Sequence, residues 1–150
     1  MKNCMEAGNI YRSADEILEY PGGGFILAGA TASYGQGEQD AYIVRTDGNG
    51  NEIWAFPYGE NSYDWVNSVT IAPDGGIVAC GTGTQSLLVY LLKVDPSGTK
   101  VWERFYDSYY ATSIKAASDN GFIITGARNN PSDNEEDVYL IKTDADGNVN

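Results

Sequence analysis

Three short runs, TDGNG from Thr46, VDPSG from Val94 and TDADG from Thr143, place aspartate close to glycine as a calcium loop does. A loop of the EF-hand kind needs oxygen ligands at its positions 1, 3 and 5, glycine at 6 and a bidentate glutamate at 12, because Ca²⁺ takes six to eight oxygens. Counting from Asp47, Asp95 or Asp144 puts glycine at the fourth position, and the twelfth is Tyr58, Tyr106 or past Asn150. Such a loop cannot supply the shell. The spacing instead predicts a hairpin turn in which aspartate bonds its own backbone and glycine takes positive φ. Neither a metal nor a cofactor is expected.

Other chemistry is narrowed by what the chain lacks. It has no histidine, hence no imidazole base, no Ser-His-Asp triad and no histidine metal ligand. A glycosidase pair could be drawn from Glu38, Asp40, Glu60, Asp64, Glu135 and Glu136. Among twenty-one acidic residues a suitable pair arises by chance, so the chain reads as a non-enzyme, with a carboxylate-dependent glycosidase as one alternative. The Asp box of sialidases spaces aspartate, glycine and tryptophan more tightly than DPSGTKVW, and Arg12, Arg45, Arg104 and Arg128 do not recur at one position. Arg45, Lys93 and Lys142 each stand two residues before a turn aspartate, and such repetition points to a structural role between neighbouring strands.

Binding is the chemistry the remaining residues suit. Tyr11, Arg12, Tyr63, Trp65, Tyr109, Tyr110 and Lys115 lie in or near the connections GNIYR, YGENSYDW and YDSYY. Tyrosine and tryptophan offer large contact area at low entropy cost with a polar tip. Arg12 and Lys115 are cations without counterparts in the other repeats and could hold a small anion such as a nucleotide. The expectation is a non-enzymatic ligand-binding protein, with a protein- or glycan-interaction scaffold as the other alternative.

These residues are spaced by an internal repeat. YIVRTDGNGNEIW, YLLKVDPSGTKVW and YLIKTDADGNVN begin at Tyr42, Tyr90 and Tyr139, 48 and 49 residues apart. PGGGFILAG, PDGGIVACG and SDNGFIITG recur between them, each preceded by a weaker third motif, SADEILEY, WVNSVTIA and YATSIKAA. β-Branched and aromatic runs punctuated by glycine turns make four short strands per unit, the size of a β-propeller blade. No helix is expected.

The third unit ends at Asn150, before the tryptophan of the other two (Trp54, Trp102), and its equivalent falls between Lys2 and Met5. The N-terminus is therefore expected to supply the last blade's fourth strand. The division expected is residues 1–12 as closing strand and linker, then blades at 13–64, 65–109 and 110–150. Three blades are too few to close a ring, since propellers have about four to eight. The economical solution is a homodimer of six blades with N-terminal strands exchanged; a fragment of a longer protein is the competing reading. Trp54 and Trp102 are expected to pack between blades.

The repeats resemble the bacterial and archaeal β-propeller proteins whose blades read D-G-G-F-I-L-x-G and then D-x-Y-L-V-K-T-D-x-x-G-N-x-x-W. The likeness lies in GGGFILAG, DAYIVRTDGNGNEIW, DGGIVACG, VYLLKVDPSGTKVW, DNGFIITG and DVYLIKTDADGN, nearly the whole chain. It implies the blade and names no activity.

A formal charge of −12 opposes duplex nucleic acid as a partner. The start MKNCMEAGN lacks the apolar run of a signal peptide and no stretch has the length of a membrane span, so a cytoplasmic location is expected, although the resemblance would allow a secreted one. Cys4 and Cys80 read most simply as free thiols.

Overall fold

The structure is a computed structural model that describes residues 12–150 except 34, 37, 60–62, 84–87, 108, 109, 131 and 134, with residue 129 described in its backbone only. It is all-β, and no helix occurs among the described residues. Among the described residues eleven strands form three antiparallel sheets. The first sheet is β1 (Arg12–Glu19), β2 (Phe25–Thr31), β3 (Asp40–Thr46) and β4 (Glu52–Tyr58). The second is β5 (Asp64–Ile71), β6 (Ile77–Gly83), β7 (Leu88–Val94) and β8 (Lys100–Tyr106). β9 (Tyr110–Ala116), β10 (Phe122–Asn129) and β11 (Glu136–Thr143) make the third, which has three strands among the described residues. Beyond β11 a bridge from Thr143 to Val149 and a bond from the Asn150 N–H to the Lys142 carbonyl begin a fourth pairing.

Each sheet is a meander in strand order, joined by turns whose chemistry repeats. Asp47 Oδ1 accepts the N–H groups of Asn49 and Asn51 at 2.8 and 2.9 Å. Asp95 Oδ1 does the same for Ser97 and Thr99, and Asp144 Oδ1 for Asp146 and Asn148. Gly50, Gly98 and Gly147 sit at φ 82°, 86° and 79°, where an L side chain would be strained. The carboxylates are engaged as the hairpin-turn reading expects. The repeated cations cross to the other turn of the same sheet: Arg45 donates to the Gly23 carbonyl and lies over the Tyr20 ring, while Lys93 pairs with Asp74 and Lys142 with Asp119.

Every first strand carries a β-bulge at the same place, with Asp15, Asn67 and Thr112 the extra residues. The bulge pushes a carbonyl of the first strand toward the second, and only glycine leaves room for it. A Cβ on Gly29, Gly81 or Gly126 would overlap the carbonyl oxygen of Ser13, Trp65 or Tyr110. This is why the second motif of each repeat closes on glycine.

The sheets stack face to face and converge at their first strands: β5 packs against β1, β2 and β3, and β9 against β5, β6 and β7. Two cores result. Ile26, Ala28, Ala41 and Ile43 of the first sheet meet Val66, Val69, Tyr90 and Leu92 of the second. Val78, Cys80, Val89 and Leu91, on the second sheet's other face, meet Ala111, Ile114, Phe122 and Ile124 of the third. Cys80 is a free thiol in this second core, and burial pushes its pKa up to about 12.

The outer strands lock onto the next sheet's hairpin turn, as expected for the recurring tryptophans. Trp54 Nε1 donates to the Pro96 carbonyl at 3.1 Å and Tyr58 donates to the Gly98 carbonyl at 2.6 Å. One repeat later, the Trp102 ring lies beside Gly147 and Phe122, and Tyr106 donates to the Gly147 carbonyl. Burial raises the Tyr58 and Tyr106 phenols, the latter to about 12, so both remain donors at any physiological pH.

Candidate binding rim

The first strands begin at one rim of the stack. Arg12 opens β1, Tyr63 immediately precedes β5, Trp65 is the second residue of β5, and Tyr110 opens β9. Tyr11 and Tyr109 lie outside the described residues.

Arg12 holds its guanidinium carbon 5.7 Å from the centroid of the Tyr42 ring, a cation-π contact between β1 and β3. Two cavities meet at this pair. One, of about 190 Å³, runs along the first sheet past Ala14, Leu27, Gly29 and Val44; the other, of about 460 Å³, extends past Gly35 and Glu52 to Pro57. Arg12 and Tyr42 line both. The rim therefore joins one cation and one aromatic face to concave space, the minimum for holding an anionic ring system.

The other rim residues are anchored in different ways. Tyr63 is 41% exposed and bridges Gln39, tying the connection before β5 to the one before β3. Trp65 is half-buried beside the bulge. Tyr110 donates to Glu136 Oε2 at 3.3 Å, and the negative charge of Glu136 raises its phenol above the usual value. Its carbonyl accepts the Tyr139 hydroxyl at 3.2 Å.

Two of the acids named as a possible glycosidase pair do approach each other. A Cβ on Gly59 would lie 2.6 Å from Asp64 Oδ2 and 3.1 Å from Asp40 Oδ1, so both carboxylates close around that glycine, which sits at φ 138°. They are 3% and 1% exposed. Both carboxylates are thus enclosed beside the rim.

Lys115 is placed elsewhere. It is exposed near the far end of β9, opposite Ile123, five residues past Tyr110 and so roughly 17 Å along the strand. Arg12, Tyr63, Trp65 and Tyr110 share the rim, and Lys115 does not. Tyr42 is the residue that sequence reasoning passed over, because recurrence with Tyr90 and Tyr139 marked it as part of the repeat. The signal that sets it apart is the unrepeated arginine on β1, one strand beyond its neighbour β2.

No protein-family model and no curated protein matches the sequence.

Proposed function

We propose that this chain is a non-catalytic ligand-binding β-propeller, in which two chains form a six-bladed ring and a small anionic molecule such as a nucleotide is captured at the rim where the first strands begin. Arg12 carries the reading: it is a cation absent from the other repeats, it lies over Tyr42, and it opens on the larger of the two cavities. A guanidinium grips phosphate or carboxylate oxygens through two parallel hydrogen bonds, and the neighbouring aromatic faces suit a base. Closure through exchanged N-terminal strands is supported by the last sheet, which has three strands among the described residues, and by the repeat register that sets Lys2 to Met5 where Trp54 and Trp102 stand. The ring reading also accords with the resemblance of the repeats to propeller blades.

The test is thermal unfolding with ATP or inorganic pyrophosphate. At a hundredfold excess over Kd the wild-type Tm should rise by roughly 5–10 °C, and Arg12→Ala should lose the rise. Lys115→Ala should keep it, being at the other strand end. A wild-type protein whose Tm neither compound moves is not an anion binder of this kind. A shift with disaccharides accompanied by their hydrolysis would replace the reading with a glycosidase.

A further inference from the structure

Positions that are buried at both internal seams are exposed on the two outward faces of the stack. At the trailing face of each sheet, Ala41 and Val89 are 0% exposed but Val138 is 87% exposed; Ile43 and Leu91 are 0% exposed but Leu140 is 67% exposed. At the leading face, Val69 and Ile114 are 1% and 0% exposed while Ile17 is 61% exposed. Ile77 and Phe122 are 0% and 1% exposed, against 36% for Phe25. The third sheet thus ends in the apolar side of a seam, and the first begins with the other side.

The polar contacts follow the same rule. Glu16 Oε2 accepts the Val69 N–H at 2.6 Å, and Ser68 Oγ accepts the Ile114 N–H at 3.3 Å. The third member of that series is Ser113, and the N–H it would accept belongs to Ile17. The turn glycines agree: Gly98 and Gly147 are buried under the preceding sheet's tryptophan, whereas a Cβ on Gly50 would meet nothing within 4 Å.

We infer that the trailing face of β10 and β11, centred on Val138 and Leu140, docks onto the leading face of β1 and β2 around Ile17 in a second copy of this chain. The repeat itself points to the occupant, because the first sheet of a second copy offers the set of positions that the two internal seams already use. The contact is head-to-tail, and in the six-bladed ring proposed above two copies make it twice. It seats the neighbour in the smaller cavity, whose lining residues Ala14, Leu27, Tyr42 and Val44 are the counterparts of Val66, Ala79, Tyr90 and Leu92 in the first core. Arg12 stays at the mouth of the new seam. The inference rests on the ring proposed above and specifies the surfaces that close it.

Sedimentation equilibrium on the full chain and two variants tests it. The wild type should be a dimer, and Leu140→Asp and Ile17→Asp should each be monomers with unchanged far-ultraviolet circular dichroism, since both side chains are exposed in the single chain. Mixing the two variants should restore a 1:1 heterodimer, because one of its two seams pairs an intact trailing face with an intact leading face. A monomeric wild type, or an Ile17→Asp protein that remains dimeric, would overturn the docking. Removing residues 1–8 separates this from strand exchange: a dimer that survives the deletion but dissociates on Leu140→Asp refutes the exchanged strand and retains the face contact. Failure of ATP to bind leaves both untouched.

Discussion

At Gly81 the carbonyl oxygen of Trp65 occupies the space that a side chain would need, and that oxygen belongs to a bulged strand packed between the first and third sheets. Neither partner can yield as a flexible side chain does. Gly81→Ala is expected to lower stability by about 1–3 kcal/mol, as overpacking does. Gly48→Ala, whose Cβ would meet nothing within 4 Å, should change it by less than about 0.5 kcal/mol. Urea unfolding of the two variants checks the contrast, and equal midpoints would refute the role given to the bulge. The glycine was visible in the sequence as the last residue of PDGGIVACG, but its reason was not. All three first strands carry the bulge at one position, so the repeats align without a gap and nothing in them announces an extra residue. Arg12 and Lys115 show the same limit: both stand out as unrepeated cations, yet the strand between Tyr110 and Lys115 sets them at different ends.

The hairpin turns are the elements whose sequence and structure agree most closely, because their chemistry is local. An aspartate four residues before a polar side chain, with glycine between, closes its own ring of hydrogen bonds whatever the sheet around it does. The consequence is a dependence on acid. Hydrogen bonds from the side chains of Asn51, Ser97 and Asn148 and from nearby backbone N–H groups hold Asp47, Asp95 and Asp144 below the ordinary value of 3.8. Lys93 and Lys142 do the same for Asp74 and Asp119. A carboxylate whose pKa is lower in the fold than in the unfolded chain contributes stability above its unfolded pKa and loses it as pH falls through the folded one. Tm should therefore hold near about pH 5 and fall steadily towards about pH 2. Asp95→Asn should lower Tm at the upper end and flatten the decline below it. A wild-type Tm that is constant across this window would show that the turn carboxylates contribute nothing to the fold. The third sheet was legible for a different reason: its three strands among the described residues match the lines of the repeat that precede Asn150. Contacts between sheets, such as Glu16 with the Val69 N–H, were not legible, because they join residues 53 apart through side chains that differ from one seam to the next.

For the whole molecule, charge and apolar surface act against each other. Each chain carries a formal charge of −12, so bringing two together costs Coulomb energy spread over the entire surface, whereas the proposed seams are made by Ile17, Phe25, Val138 and Leu140. Salt screens the first effect and does not weaken the second; the Debye length falls from about 30 Å at 0.01 M to about 8 Å at 0.15 M. Most interface ion pairs respond in the opposite sense, loosening as salt is added. The dimer is therefore expected to tighten by roughly tenfold or more between low and physiological ionic strength, and to go on tightening in sulfate, which strengthens apolar burial. Sedimentation equilibrium across that salt series, at fixed pH near neutrality, measures it directly. A Kd that rises with salt would mean that charged groups hold the chains together, and would remove the apolar faces of the first and third sheets from the centre of the assembly.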